Sequence, residues 1–136
     1  MHSTKRIAIG ALASLGLIGY AAAAELTGAE IKDLISGKTA YVETTAASIT
    51  GAIGNGVIYY GADGNGLYKT PKGELWHGTW KIEGNTLCTV WKEGPKRPCL
   101  KFDKEGSEVK VIDVQTGQTR VKIVKTAPGN AEKLAP

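Results

Sequence analysis

Reactive side chains are scarce in this 136-residue sequence, and each shortage excludes something. There are two histidines, His2 and His77, two cysteines, Cys88 and Cys99, and one phenylalanine. Beyond residue 24 the serines are Ser36, Ser48 and Ser107. None sits in a nucleophile elbow, and no spacing ties one to His77 and an acid. Zinc would find at most three ligands in Cys88, Cys99 and His77, without finger spacing. Asp63, Asn65 and Glu74 fall at positions 1, 3 and 12 of a calcium loop. Leu67 and Tyr68, however, stand where an oxygen ligand and the sharp-turn glycine belong, so a hairpin turn explains Asp63-Gly64-Asn65-Gly66 more simply. The glycine-rich stretch Gly51–Gly56 lacks the lysine and following helix of a phosphate loop. No catalytic residue, metal or cofactor is therefore assigned. Glu74, Glu83, Asp103 and Asp113 are available for a glycosidase-like carboxylate pair, but so small a domain seldom supplies both a cleft and its tuning shell.

Long apolar runs are also missing, with one short exception at the start. Lys5 and Arg6 precede the run Ile7–Gly19, which ends at Ala21-Ala22-Ala23-Ala24. Charge, short hydrophobe and small residues in that order predict a secretory signal peptide over residues 1–24, cut after Ala24. A membrane-spanning helix needs roughly 20 apolar residues, more than this run offers. Taking 24 residues from 136 leaves 112, enough for one small domain over 25–136. Lys5 and Arg6 leave with the leader, so 15 basic residues face 13 acidic ones, a net charge of about +2. A balance this small and mixed argues against nucleic acid. The expected location is periplasmic or secreted, with no transmembrane segment after cleavage. In that oxidising setting Cys88 and Cys99 are expected to form a disulfide, since no C-x-x-C spacing suggests redox work.

What remains is rich in strand and turn signals. Thr27 and Glu30 make a capping box, Leu26 and Ile31 a hydrophobic staple, and Gly37 a left-handed stop, predicting one short helix between them. From Thr39 onward the apolar pattern has period 2. Strands are predicted at Lys38–Glu43, Val57–Ala62, Gly66–Thr70, Leu75–Glu83, Thr86–Lys92, Leu100–Asp103, Glu108–Val114 and Thr119–Lys125, separated by Gly-, Asn- and Asp-rich turns. The fold class is mainly β: an antiparallel meander or barrel of six to eight strands, one N-terminal helix and one disulfide. Thr44–Gly56 is expected to be a mobile loop or a poorly specified edge, and Thr126–Pro136 an irregular tail.

Alternation assigns faces. Trp76, Gly78, Trp80 and Ile82 point one way and His77 the other; Leu87, Thr89 and Trp91 oppose Cys88 and Val90. Val109, Val111, Val121 and Ile123 form aliphatic pairs in the last hairpin, with Lys110, Arg120 and Lys122 on its opposite side. Trp76, Trp80 and Ile82 are expected in the core. Tyr59, Tyr60 and Tyr68 crowd a chain this small, which makes them candidates, with His77, for a recognition surface rather than core. Lys96 and Arg97 lie in the exposed basic segment Lys92–Pro98 tethered between the cysteines, a second candidate contact region.

Five segments carry a resemblance: Leu26–Ile31, Ser36–Thr39, Tyr60–Gly66, and Gly73–Trp80 followed by Asn85–Cys88. With its Gly78-Thr79-Trp80 motif and Cys…Cys layout, the chain resembles a family of small secreted alphaproteobacterial proteins, a domain of unknown function. The resemblance covers nearly all of residues 25–136 and implies export and a single small domain, but no activity. The expected function is a non-catalytic binding or inhibitor-like module acting on a protein or envelope component. The alternatives are a small hydrolase using carboxylates or His77, and an envelope structural protein without a discrete ligand.

Overall fold

The computed structural model describes residues 23–136. The expected leader thus lies outside the described residues, apart from Ala23 and Ala24. Among the described residues no helix is long and apolar enough to cross a membrane.

The chain runs β1 (Ala24–Glu25), α1 (Gly28–Ile35), β2 (Lys38–Thr44), β3 (Gly54–Tyr60), β4 (Asn65–Lys69), β5 (Leu75–Glu83), β6 (Thr86–Trp91), β7 (Leu100–Glu105), β8 (Glu108–Asp113) and β9 (Thr119–Pro128). All pairings are antiparallel. The order β7-β6-β5-β4-β3-β2-β9-β8 closes through β8 on β7, giving an eight-stranded barrel to which β1 is added. Closure removes the exposed edges that an open meander of this length would present.

The predicted helix start is present atom for atom. Thr27 Oγ1 accepts from the Glu30 amide (3.2 Å) and Glu30 Oε1 from the Thr27 amide (2.9 Å). Gly37 at φ 67° ends the element in the left-handed region that favours glycine. Ile31 and Ile35 are fully buried, so α1 plugs the barrel end that carries the 61–64, 84–85 and 106–107 turns. An eight-residue helix is too short to persist alone, and this docking supplies its stability.

The interior is aromatic. Trp80 meets Tyr60 edge-on at 5.9 Å, and Tyr68 packs against Trp76 at 5.9 Å and Trp91 at 5.6 Å. Trp80 Nε1 donates to the Gly61 carbonyl (2.8 Å), which satisfies its buried polar atom. Gly78 leaves room for this packing: a Cβ there would collide with the Val90 carbonyl and the Trp91 ring. Trp76 and Trp80 are core as expected, and Ile82 packs against it partly buried.

One side of the barrel is thinly joined. β6 and β7 share only the Leu87–Leu100 pair. The Cys88–Cys99 disulfide sits beside that pair and ties the two strands covalently. Further along β7, β1 takes the place β6 has vacated, with Ala24 opposite Lys104 and Glu25 opposite Asp103, and the Leu26 amide donates to Phe102 (2.8 Å).

Four expectations need correction. Tyr60 and Tyr68 are 5% and 1% exposed, so they belong to the interior and leave the recognition surface. Arg120 is buried as well, paired with Asp113 and bonded to the Ala47 carbonyl. A register shift between Val111 and Ile112 breaks strict alternation there and turns Arg120 inward. The 44–56 stretch is neither a bare edge nor a loose loop. Thr44 and Ser48 are buried, Thr44 Oγ1 donates to Ala52 (2.6 Å), Thr45 Oγ1 to Thr119 (2.6 Å), and residues 54–56 begin β3. Finally, β9 extends through Pro128 against β2, and the tail beyond is tied down by Thr39, whose hydroxyl donates to Gly129 (2.7 Å) and accepts from Ala131 (2.9 Å).

Candidate functional site

Adjacent residues on a strand face opposite sides of the barrel wall, and this sorts the candidate residues into two places. Tyr59 points out and Tyr60 in. The register of β3, β4 and β5 sets Tyr59 opposite Leu67 and Leu67 opposite His77, so the three form a row across the outer wall. That row floors an open groove of about 650 Å³, with Asp63 and Asn65 from the β3–β4 turn, Thr79 from β5 and Lys92 after β6 along its rim. Its size lies within the range of small-molecule clefts.

His77 is the most constrained side chain of the groove. Glu93 Oε1 accepts from the His77 amide (2.7 Å) and Oε2 lies 2.7 Å from Nδ1, while the Lys92 amide donates to the His77 carbonyl (2.8 Å). The His77 side chain, seconded by its backbone amide, holds the Glu93 carboxyl below the usual range, so it is ionised at neutral pH. A carboxylate is acceptor only; Nδ1 therefore carries the proton, and Nε2 is the nitrogen left for a ligand. Asp63 is likewise held low, by the amide and side chain of Asn65 (3.0 and 2.9 Å). The site thus holds two carboxylates, Asp63 on the rim and Glu93 against His77, and in Lys92 one ammonium. Among the described residues the lining contains neither serine nor cysteine.

Tyr60, Tyr68 and Arg97 meet elsewhere. They line a cavity of about 50 Å³ inside the barrel, toward the end opposite α1, where the 45–53 loop and the disulfide-tethered 92–99 segment converge. Burial pushes the Tyr68 hydroxyl up to about 12 and raises Tyr60 further, so both stay protonated. Lys96 is exposed and lines neither space. Glu83 lies 3.2 Å from the Cys88 sulfur, but both sulfurs are spent in the disulfide, so this cluster is no metal site.

On sequence, Asp63 reads only as part of a hairpin turn, and Lys92 and Glu93 only as the start of the 92–98 contact segment, not as neighbours of His77. A signal was available for Lys92. A two-residue turn at Gly84-Asn85 sets Glu83 opposite Thr86, and counting outward along that hairpin brings His77 opposite Lys92. Glu93 then follows as the next residue of the chain.

Comparison of the chain with family models, curated proteins and solved structures finds no match.

Proposed function

We propose that this protein is an exported, non-catalytic binding module that seats part of a protein or other envelope macromolecule in the outer groove. The observation that carries the proposal is the Tyr59–Leu67–His77 row: an aromatic, an aliphatic and a locked imidazole across three strands, walled by polar groups of both signs. Such a mixture of apolar floor and polar rim suits recognition. The rigid wall beneath lowers the ordering cost of binding. Export is supported by the sequence of the leader and is compatible with the disulfide.

A small hydrolase built on the His77–Glu93 pair is the second reading, favoured by the 2.7 Å contact that orients the imidazole. The lining supplies no nucleophilic serine or cysteine beside it, which ranks this reading lower.

A photo-reactive residue in place of Thr79, on the rim, tests the first reading in envelope extracts from the producing cells. A discrete cross-linked adduct is expected, lost when Tyr59→Ala and His77→Ala are combined in a protein of unchanged thermal stability. No adduct, or one that survives both substitutions, contradicts the proposal.

A further inference from the structure

The segment between the cysteines is anchored at both ends and bare in the middle. Glu93 is fixed by the His77 amide and Nδ1, each at 2.7 Å. Gly94 lies against the Trp76 ring, where a Cβ would come within 2.5 Å of a ring carbon. Pro98 is half-buried at the rim of the interior, and Cys99 is bonded to Cys88. Between these anchors Pro95, Lys96 and Arg97 are all exposed. The chain from 95 to 99 makes no turn or bend. Among the described residues no amide or carbonyl of 95–97 takes part in a backbone–backbone hydrogen bond. Prolines at 95 and 98 fix two of the backbone torsions and reduce the freedom of the segment further.

A held, unbent strand with free peptide groups is the shape that a peptide-binding cleft pairs with, backbone to backbone. Direction singles out one side chain. Arg97 leans over the rim of the interior, so its neighbour Lys96 points away from the barrel and lines neither cavity nor groove. Lys96 makes no ion pair among the described residues. One outward ammonium on such a strand matches a specificity pocket with a carboxylate at its base, as in trypsin. An anionic surface or polymer would call for a cluster of cations, whereas here Arg97 turns inward and Glu93 adds a negative charge. We propose that residues 94–98 form a substrate-like loop that inhibits trypsin-type serine proteases, with Lys96 entering the specificity pocket. The anchors explain why a protease is blocked rather than fed. A loop already fixed in its bound shape has little left to order on binding. Hydrolysis of the Lys96–Arg97 bond would leave both new ends pinned, one through Glu93 and Gly94 and the other through Pro98 and Cys99. The inference rests on this loop and not on the outer groove.

The test titrates the protein, purified from its producing cells with the disulfide intact, against trypsin and against chymotrypsin, each assayed on a small chromogenic peptide. Competitive inhibition of trypsin at close to one-to-one stoichiometry is expected, with chymotrypsin untouched. Lys96→Ala should weaken that inhibition at least a hundredfold, and Lys96→Leu should transfer it to chymotrypsin. Lys72→Ala, which removes an exposed lysine from a different turn, should leave it as it was. Because the Lys96 side chain is exposed, its variants should melt with the parent, so a lost inhibition reports the loop and not the fold. Four results would each overturn the proposal: trypsin unaffected, rapid cleavage after Lys96 without inhibition, full inhibition by Lys96→Ala, or a loop that binds anionic vesicles or polysaccharide in place of trypsin.

Discussion

Asp113 accepts hydrogen bonds from the Arg120 guanidinium and from the amides of Gln115 (2.8 Å) and Thr116 (3.3 Å). The guanidinium is the main reason its carboxyl is held below the usual range. A depressed folded-state value means that Asp113 stabilises the fold above the unfolded carboxyl range, about 3.9, and that this stabilisation is lost as pH falls through the folded value. Asp113→Asn leaves the Arg120 charge buried without its counter-ion, an expected loss of about 3–5 kcal/mol at neutral pH. Urea unfolding at pH 7 and pH 3 should show the gap between parent and variant narrowing in acid, because below about 3.9 the unfolded parent takes up a proton at Asp113 that the folded parent resists. A gap of constant size would mean that the ion pair does not carry the difference. This pair was not legible from the sequence. Period-2 counting sends Arg120 outward with Lys110 and Lys122, and a bulge, which depends on local backbone geometry, leaves no reliable mark in residue types.

Local rules fared better for whole elements. The capping box, the left-handed glycine and every predicted strand lie where turn chemistry and alternation put them, within a few residues at each end. These features are legible because each is set by neighbours in the chain. The 44–56 loop and the tail were misread for the opposite reason: partners 70–90 residues away, such as Thr119 for Thr45 and Gly129 for Thr39, hold them in place. The disulfide shows both aspects. Its pairing followed from there being two cysteines, but its position at the one thin seam of the barrel did not. Closing a ring of about 12 residues is worth roughly 3 kcal/mol by the chain-entropy argument. Replacing both cysteines by serine should lower stability by about that much. It should also raise amide exchange first around Leu87 and Leu100, while the β2–β3 and β2–β9 ladders stay protected. Uniform loss of protection across the barrel would show that the seam is no weaker than the rest.

At the scale of the molecule, a closed wall converts a sequence cluster into two sites. Tyr59, Tyr60, Tyr68 and His77 are close in sequence and read naturally as one patch, since composition reports how many aromatics there are and not which way they face. The pleat then sends Tyr59 and His77 to the outer groove and Tyr60 and Tyr68 to the core, where Trp76, Trp80 and Trp91 enclose them. The groove was half legible: His77 and Tyr59 were singled out, whereas Asp63, Lys92 and Glu93 reach it only through hairpin register and a turn. Neighbours so placed should behave oppositely when truncated. Tyr59 is half-buried at the groove floor, and its loss should be felt by a ligand far more than by the fold.

Equilibrium unfolding of Tyr59→Ala and Tyr60→Ala side by side therefore bears most directly on the wall that separates the outer groove from the core. Tyr60→Ala should lose about 3–5 kcal/mol, as large aromatic truncations in a packed interior do, and Tyr59→Ala less than about 1 kcal/mol. Equal losses, or a larger loss at Tyr59, would contradict the placement of these two rings and with it the proposal that the groove is the binding surface.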